Sequence, residues 1–404
     1  MIVKYKVILA QKQTRGLLAV SLLTMLTIGI VYIWSVFILP LEQEFVGARN
    51  EISLVFTVAM ASMSLGTAFG GFIHRRLRVE TLLALLITLI AVSVIIASYS
   101  SSLQIITVFY GAVFSLCVGI TYNLIIYKCN QAFSKEIAAT VSGALQSFVA
   151  VGTVFFAYLA AYMLEFYDWR IAIRVLGGGL VICLIYSSKF LCRSFTGADE
   201  AGAGESSYLT GLNSRQMLAT RNFWFFICIR ISLLSCGIGL IGHTVPIAVE
   251  LGVTPDKAIL ALSLFSFCNA LGKALFGIIW DCIGPRKTIM AVMFFCIASF
   301  GLLVASSFKV NIYTVFTAFA LGGFSYGGTI LLSAAFSRTF FGLKYFSENF
   351  GLVSISMVIA SFIGPPLLGE AKLLTGTYIS GLLILAVFNA ATLALLPFIS
   401  EKNN

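Results

Sequence analysis

Long apolar runs recur along the whole chain, and they limit what it can fold into more than any other feature. About twelve runs are long enough for an α-helix to cross a membrane, which takes roughly 20 residues. They lie near residues 16–40, 52–73, 81–97, 103–127, 138–164, 171–190, 223–249, 258–280, 288–308, 312–333, 350–374 and 378–398. The sequence therefore predicts an all-α membrane protein with twelve transmembrane helices.

The composition excludes a soluble globular protein. Hydrophobic residues make up 59% and charged residues 10% of the chain, whereas soluble domains carry about 25% charged residues. The nine cysteines are scattered without a CxxC pair and mostly lie in apolar runs. This pattern favours buried packing over disulfides or metal binding. We expect no cofactor.

Basic residues are concentrated in the N-terminal tail and in every second loop. By the positive-inside rule, this alternation predicts that both termini are cytoplasmic, in what we expect to be a bacterial inner membrane. The net charge of +10 is then a topology signal facing the lipid bilayer, and we expect no nucleic-acid partner. The first apolar run is too long for a signal-peptide core of about 7 to 15 residues.

The arrangement of helices repeats at half the length of the chain. A first set of six runs (16–190), a polar linker (191–222) and a second set of six runs (223–398) lie between short tails at 1–15 and 399–404. This parallel repeat resembles the architecture of the major facilitator transporters. The resemblance implies two pseudo-symmetric six-helix bundles, and we expect a monomer.

The turn after the eighth run resembles the major facilitator signature G-x-x-x-D-x-x-G-x-R-K. The matching residues are Gly277, Asp281, Gly284, Arg286 and Lys287. In physical terms, the Asp and Arg of such a tight turn can pair with a neighbouring helix end and latch one conformation. The alternative is a solvated basic loop that follows the positive-inside rule alone.

A degraded copy of the signature follows the second run. It has His74 in place of the aspartate and Leu77 in place of the second glycine, among basic residues that include Arg75 and Arg78. We expect a weaker latch here, or a solvated basic loop.

A narrower resemblance comes from strings in both halves of the chain. GIVYIWSVFILPLEQEF and ARNEISLVFT open the first half, MLATRNFW and HTVPIAVELG flank the seventh run, and FGLKYFSENFG precedes the eleventh. These strings look like the oxalate/formate antiporter family and the related monocarboxylate transporters. The resemblance implies a twelve-helix carrier of small organic anions that works by alternating access.

Lys273 is the candidate substrate cation. It lies eight residues before Asp281, so a helix places its Cα roughly 12 Å above the loop, close to the membrane midplane. An ionisable residue at that depth indicates a functional site. Asn269 is one turn away on the same face. The alternatives for Lys273 are a side chain that snorkels or one that binds a helix carbonyl. The resembling families usually have arginine at this position.

The resemblance also implies a second cation, a lysine in the eleventh helix, but Met357 stands in its place. Tyr326 stands where a tryptophan is expected. With one central charge missing, a monocarboxylate or a zwitterion fits better than a small dianion such as oxalate.

The seventh run carries two further candidates, Arg230 and His243. Thirteen residues at about 100° each place them on nearly opposite faces of a straight helix, so one site would not use both unless the glycines between them break it. His243 is a substrate-binding or proton-linked residue, or a hydrogen-bonded packing histidine. Arg230 binds substrate or snorkels towards the cytoplasm.

Two tyrosines complete the set of candidate substrate-binding residues. Tyr32 is predicted about 12 Å from a membrane edge, where its phenol can bind an anion or its ring can pack between helices. Tyr122 is a similar candidate in the fourth helix, whereas Trp34 is interpreted as structural.

Absences narrow the mechanism. Every Asp and Glu is predicted in a loop or at a helix end, and Asn269 stands where proton-coupled relatives have an aspartate, so exchange or facilitated diffusion is favoured over coupling through a buried acid. The sequence has no GxSxG, HExxH or phosphate-binding glycine loop, so an enzyme or ATP-driven pump is not expected. The alternatives to an anion carrier are an exporter of amphipathic drugs, siderophores or other metabolites, and a non-transporting sensor.

Overall fold

The computed structural model describes residues 12–45, 49–192, 211–308 and 311–399. The predicted tails fall largely outside these ranges, at 1–11 and 400–404, as does the centre of the predicted linker, 193–210. The described helices are α1 (Lys12–Ile28), α2 (Ile38–Glu44), α3 (Arg49–Arg76), α4 (Val79–Tyr99), α5 (Leu103–Ile106), α6 (Ser115–Ala132), α7 (Ala138–Phe166), α8 (Trp169–Leu191), α9 (Ser214–Ala219), α10 (Arg221–Glu250), α11 (Pro255–Ile283), α12 (Pro285–Phe308), α13 (Ile312–Phe341), α14 (Phe346–Ser354), α15 (Ser356–Ser361), α16 (Gly364–Thr375) and α17 (Ile379–Leu393).

Within the described residues, these helices form twelve segments long and apolar enough to cross a membrane. Numbered in chain order, these spans are Thr14–Trp34, Leu54–Arg76, Val79–Tyr99, Leu103–Ala132, Ala138–Phe166, Trp169–Leu191, Arg221–Glu250, Lys257–Ile283, Pro285–Phe308, Ile312–Phe341, Phe346–Thr375 and Ile379–Phe398. Each overlaps one of the predicted runs, so the prediction of an all-α membrane protein with twelve transmembrane helices is confirmed. The described chain has no strand beyond an isolated bridge between Gly211 and Gly342.

Four spans depart from regular α-helix, and span 12 does so only at its end, where Leu396–Phe398 form a 3₁₀-helix. Span 1 continues as a 3₁₀-helix over Gly29–Phe37, and span 4 contains a π-helical stretch over Thr107–Phe114. Span 11 is divided at Ile355 and again at Phe362 and Ile363. The second division precedes Gly364 and two prolines, and a proline disfavours helical geometry in the residue before it. Such interruptions within a membrane span often accompany functional sites.

The chain packs into two compact units. Unit 1 contains residues 1–135, 148–211 and 342–354, and unit 2 contains residues 136–147, 212–341 and 355–404. Each unit thus takes in one short segment from the opposite half of the sequence. The division into bundles at 16–190 and 223–398 stays a prediction.

Glycines allow close helix packing in both units. In unit 1, the backbone of α3 at Gly66 lies against the carbonyl of Leu116. In unit 2, Gly323 of α13 lies against the carbonyl of Phe265 in α11. A Cβ atom at either glycine would overlap the facing backbone, so each position requires glycine. This packing fixes the backbone of α11, the helix that carries Lys273.

An ion pair links α2 to α8 in unit 1. Arg170, in the first turn of α8, donates from Nη1 to Oε2 of Glu44 at 2.7 Å, and the indole of Trp169 donates to the same oxygen at 2.8 Å. These bonds tie the end of α2 to the start of α8. Because the Arg170 guanidinium stabilises the charged carboxylate, the pKa of Glu44 lies below its ordinary value of 4.5.

Candidate functional site

Lys273 lies in the interior of α11 and span 8, and its side chain is partly buried. None of the ion pairs or hydrogen bonds between residues 12–45, 49–192, 211–308 and 311–399 involves its ammonium group. Among the described residues, the Lys273 ammonium group therefore does not donate to a helix carbonyl, which was one of the alternatives. The arrangement leaves a cation within a membrane span without a counter-charge from the residues that the structure describes.

Two glycines hold the backbone of Lys273 in place. Gly143 of α7 lies against its carbonyl oxygen, and Gly327 of α13 lies against its amide nitrogen and the carbonyl of Asn269. A Cβ atom at Gly143 or Gly327 would overlap these atoms, so both close approaches depend on glycine. The lysine backbone is thus fixed from two sides while its side chain has no protein partner in the described part.

Two side-chain amides lie in the same part of unit 2. The Oδ1 atom of Asn269, one turn before Lys273, is buried and has no hydrogen-bond partner among the described residues. On α7, Gln146 is 1% exposed, and neither its Oε1 nor its Nε2 has a partner in the described chain. The next residue, Ser147, donates to the carbonyl oxygen of Ala270 at 2.8 Å. Sequence reasoning missed Gln146, although a glutamine inside an apolar run was the available signal.

Tyr326 of α13 is the third candidate near this part of α11. It is 8% exposed, and its ring lies 6.1 Å from the ring of Phe265 and against the backbone of Gly237 in α10. The next residue is Gly327, which contacts the Asn269–Lys273 turn. Lys273, Asn269 and Tyr326 all belong to unit 2, but it is the backbone at Gly327 that contacts the Asn269–Lys273 turn, and the contribution of Tyr326 to a substrate site stays a prediction.

Arg230 does not snorkel. Its side chain is 2% exposed, and Nη1 donates to the hydroxyl of Ser356 in α15. Ser356 directly follows the division of span 11 at Ile355 and precedes Met357, the residue that stands in place of the expected lysine. The structure therefore places a buried guanidinium at this division. The positive charge comes from Arg230 on α10, whereas the expected lysine would have come from span 11 itself.

His243 also contacts span 11, but at its other division. Its Nε2 lies 3.2 Å from the carbonyl oxygen of Pro365 in α16, and its ring centroid lies 5.4 Å from that of Tyr378. α10 continues through its glycines, and the two side chains contact span 11 at different heights, Arg230 at Ser356 and His243 at Pro365. That one site would not use both residues stays a prediction. The geometry of His243 favours the packing interpretation.

The remaining tyrosine candidates belong to unit 1. Tyr32 lies in the 3₁₀-helical stretch of span 1, is partly buried and forms no hydrogen bond with the described residues. The ring of Tyr122 lies 6.3 Å from the ring of Phe350 in α14. Their contribution to a substrate site stays a prediction.

The signature aspartate binds a helix end. The carboxylate of Asp281 accepts hydrogen bonds from the amide of Thr140 at 2.7 Å, from its hydroxyl at 2.6 Å and from the amide of Ala139 at 3.3 Å. These groups form the first turn of α7, whose exposed amides and dipole favour a negative charge. Gly277 lies against the same turn. This geometry is the pairing with a neighbouring helix end that the signature led us to expect.

The other residues of the signature turn differ in their contacts. Gly284 ends α11 with a φ of 85°, a conformation that L-residues rarely adopt. The guanidinium of Arg286 donates to the carbonyl oxygens of Ile399 at 2.6 Å and Pro397 at 3.2 Å. Arg286 thus satisfies acceptors at the end of span 12, while Lys287 is exposed.

The degraded copy does not form a merely solvated loop. Arg75 pairs with Glu348 of α14 at 2.6 Å and stacks on the ring of Tyr345, and His74 binds the hydroxyl of Ser347. Here the cation lies in the last turn of α3 and the acid lies on the facing helix α14, whereas Asp281 lies on α11 and accepts hydrogen bonds from the first turn of α7. Sequence reasoning missed this contact because it searched for an acid on the loop. Arg78 is exposed.

The sequence model of the Major Facilitator Superfamily matches residues 17–247 and 229–403. The chain is 24% identical over 395 residues to the oxalate:formate antiporter of Oxalobacter formigenes, covering 95% of this chain and 90% of that protein. It is 20% identical over 392 residues to monocarboxylate transporter 12 of Rattus norvegicus, covering 90% and 80%. The resemblance to these families is confirmed.

The proton:xylose symporter XylE, a solved structure, matches with a TM-score of 0.71 over 96% of each chain. At 12% identity, this likeness shows the fold alone. Together with the family match across both halves, it confirms the predicted architecture and the expectation that the chain is not an enzyme. The chain belongs to the Major Facilitator Superfamily and is a membrane transporter of small molecules.

Proposed function

We propose that the protein carries a small organic anion of the monocarboxylate type across the membrane by alternating access, with Lys273 as the principal substrate cation. The observation that carries the proposal is the ammonium group of Lys273, which lies inside a span without a counter-charge among the described residues. A lysine at the centre of a span costs about 2.5–3.5 kcal/mol on insertion scales. A carboxylate ligand offsets that cost, and one cation balances one negative group.

The relatives support the anionic class of the substrate. The names of both the oxalate:formate antiporter and monocarboxylate transporter 12 specify small carboxylates. Lysine differs from arginine in presenting a compact charge without a bidentate fork, so we expect it to fix the orientation of a carboxylate less strictly.

The same proposal includes the orientation of the protein in the membrane and the way in which its transport is coupled. We place both termini in the cytoplasm of a bacterial cell, with the protein in the inner membrane, because the alternate loops carry most of the basic residues. Exchange or facilitated diffusion is favoured over proton coupling, since Asp281 and Glu348 lie at helix ends and engage other helices there.

The test is transport by the purified protein in proteoliposomes. Wild type is offered monocarboxylates, dicarboxylates and amphipathic cations. We expect uptake of a monocarboxylate, and a loss of about 10- to 150-fold in Lys273→Ala, the range for a hydrogen bond to a charged group. Lys273→Arg should retain transport because it keeps the charge.

Lys257→Ala is the matched control, because Lys257 is an exposed lysine on the same helix. Unchanged anion transport in Lys273→Ala would refute the assigned role of this residue. Transport of amphipathic cations without transport of any carboxylate would favour the exporter instead.

A further inference from the structure

His74 lies in a polar contact between α3 and α14 that the proposed anion site does not use. It stands in the last turn of α3, in the place of the signature aspartate, and its Nε2 binds the hydroxyl of Ser347 in α14. Ser347 is 3% exposed, and residues 342–354 belong to unit 1 together with α3. Histidine is the side chain whose charge ordinarily changes between about pH 5 and 8, whereas an aspartate stays charged over that range.

The hydrogen bonds around Ser347 determine which nitrogen of His74 carries a proton. The Nδ2 atom of Asn123 donates to the carbonyl oxygens of Thr67 at 2.7 Å and Ser347 at 3.1 Å. Its Oδ1 accepts the single proton of the Ser347 hydroxyl. That hydroxyl can therefore only accept from His74, so the Nε2 of His74 carries a proton. The neutral ring satisfies this contact, and a second proton would bind at Nδ1.

The helices on either side of His74 are packed closely. Gly71, three residues before His74, lies against the backbone of Ser347, and Gly351 of α14 lies against the carbonyl of Ala68. A Cβ atom at either glycine would overlap the facing backbone. The His74 ring also stacks on the ring of Tyr127 in α6, with centroids 4.8 Å apart. A charge on the ring therefore acts directly on the packing of α3 against α14.

The charged groups around His74 are mostly positive. Arg75 follows it on α3 and Lys128 lies on α6, 8% exposed, and both are close enough to act electrostatically on the His74 ring. The acid on α14, Glu348, is already paired with Arg75 at 2.6 Å. The other described titratable or charged groups at this end are Arg76, Arg78, Glu80, Tyr127, Lys344 and Tyr345. Protonation of His74 therefore adds a third cation to a contact that contains one acid.

We propose that His74 is a proton-sensitive switch in the contact between α3 and α14: the neutral ring holds the two helices together, and protonation favours their separation. This inference goes beyond the proposed function, because it concerns when the contact opens and not which substrate is carried. In the proposed orientation, α3 ends and span 11 begins on the cytoplasmic side. Acidification of the cytoplasm then favours separation of these helices.

The test is hydrogen exchange of the backbone amides of α14, measured by mass spectrometry on the purified protein in detergent at about pH 5.5 and pH 8. Wild type is compared with His74→Gln at the same pH, which cancels the intrinsic dependence of exchange on pH. Glutamine can donate a hydrogen bond to Ser347 but does not titrate. The two proteins should exchange alike at the higher pH. At the lower pH, wild type should exchange about tenfold faster, equivalent to about 1.4 kcal/mol of like-charge repulsion.

Two further variants and an internal reference make the test specific to His74. His74→Lys carries a permanent charge at this position and should exchange rapidly at both pH values. His243→Gln removes the other histidine of the chain, which has two, and should keep the wild-type acid response in α14. The amides of α16 are the reference and should not differ between wild type and His74→Gln. Any titration of Glu348 is common to wild type and His74→Gln, so it does not produce a difference.

The outcomes are independent of transport, so the anion carrier is tested separately. An acid response of equal size in wild type and His74→Gln, or none in wild type, overturns the role of His74. Slow exchange of His74→Lys at both pH values has the same consequence. Loss of the response in His243→Gln would assign it to the other histidine and also overturn the inference. If His74→Gln does not fold, His74→Asn takes its place as a polar side chain that does not titrate.

Discussion

The carboxylate of Asp281 is expected to be one of the largest single contributions to stability in unit 2. Asp281→Ala removes three accepted hydrogen bonds at the first turn of α7, two of them from Thr140 at 2.6 and 2.7 Å. The third, from Ala139 at 3.3 Å, is long and contributes little. Loss of a helix cap costs about 0.5–2 kcal/mol, and an unsatisfied buried donor about 1–3 kcal/mol. Because these terms overlap, we expect a loss of about 2–3 kcal/mol.

The assay is thermal unfolding of the purified protein in detergent, followed by the reactivity of its buried cysteines. Asp281→Asn keeps one acceptor oxygen but loses the charge, so it should show about half the loss. A double-mutant cycle with Thr140→Val isolates the pairwise interaction and should give a coupling of about 1 kcal/mol or more.

Asp168→Ala is the matched control for this prediction. Asp168 also caps a helix, but its side chain is 48% exposed and accepts the amide of Arg170 at 3.4 Å. We expect a loss below about 1 kcal/mol, as is typical of an exposed interaction. An unchanged melting temperature in Asp281→Ala, or equal losses in the two alanine variants, would refute the reasoning.

Three further predictions concern packing, acidity and buried charge. Gly143→Ala should lower the melting temperature, at a cost of about 1–3 kcal/mol. Gly178→Ala should not, because no described residue has an atom within 4 Å of the added Cβ. The Arg170 guanidinium holds the pKa of Glu44 below 4.5. The pair therefore stabilises the folded protein above that pH, and this stabilisation is lost as the pH falls through the lowered pKa. Glu44→Gln should remove this part of the pH dependence of the melting temperature. The Arg230→Met variant should have a melting temperature near that of wild type, since an apolar side chain of similar length replaces a buried charge at little cost. Its rate of substrate transport should fall.

The sequence was sufficient to predict the spans because their signal is local. A run of apolar residues either reaches the thickness of the hydrocarbon core or does not, and no distant contact changes that length. The interruptions of the helices within the spans were harder to predict from the sequence. Two prolines follow the second division of span 11, but nothing in GIVYIWSVF distinguishes the 3₁₀-helical stretch of span 1 from an ordinary α-helix.

The candidate site was predictable only in part, for a physical reason. Lys273 could be found because a charge in an apolar run is conspicuous whatever surrounds it. Gln146 could not be assigned to the same part of the structure, since its position depends on the packing of α7 against α11, where the bonded residues Ser147 and Ala270 lie 123 positions apart. The same limit explains Arg230, whose partner Ser356 lies 126 positions away.

The ion pair between Arg75 and Glu348 illustrates a different limit. The search for an aspartate at position 74 asked which residue occupies a site in a motif, but electrostatics requires only that opposite charges meet. Arg75 in the last turn of α3 meets an acid on α14, whereas Asp281 on α11 binds the amides and the hydroxyl at the start of α7. Motif matching by residue type therefore misses a contact with a facing helix that a residue of another type makes.

Lys273 itself is best understood through the contrast between its backbone and its side chain. Gly143 and Gly327 bring two helices against its peptide groups, which leaves the turn little freedom to move. The ammonium group gains no ion pair or hydrogen bond from the described residues to offset the cost of placing a charge in a span. If the position served packing alone, leucine or methionine would fit it without that cost. A rigid backbone that presents an uncompensated charge has the preorganised geometry that anion binding requires, and this is why the proposal rests on Lys273.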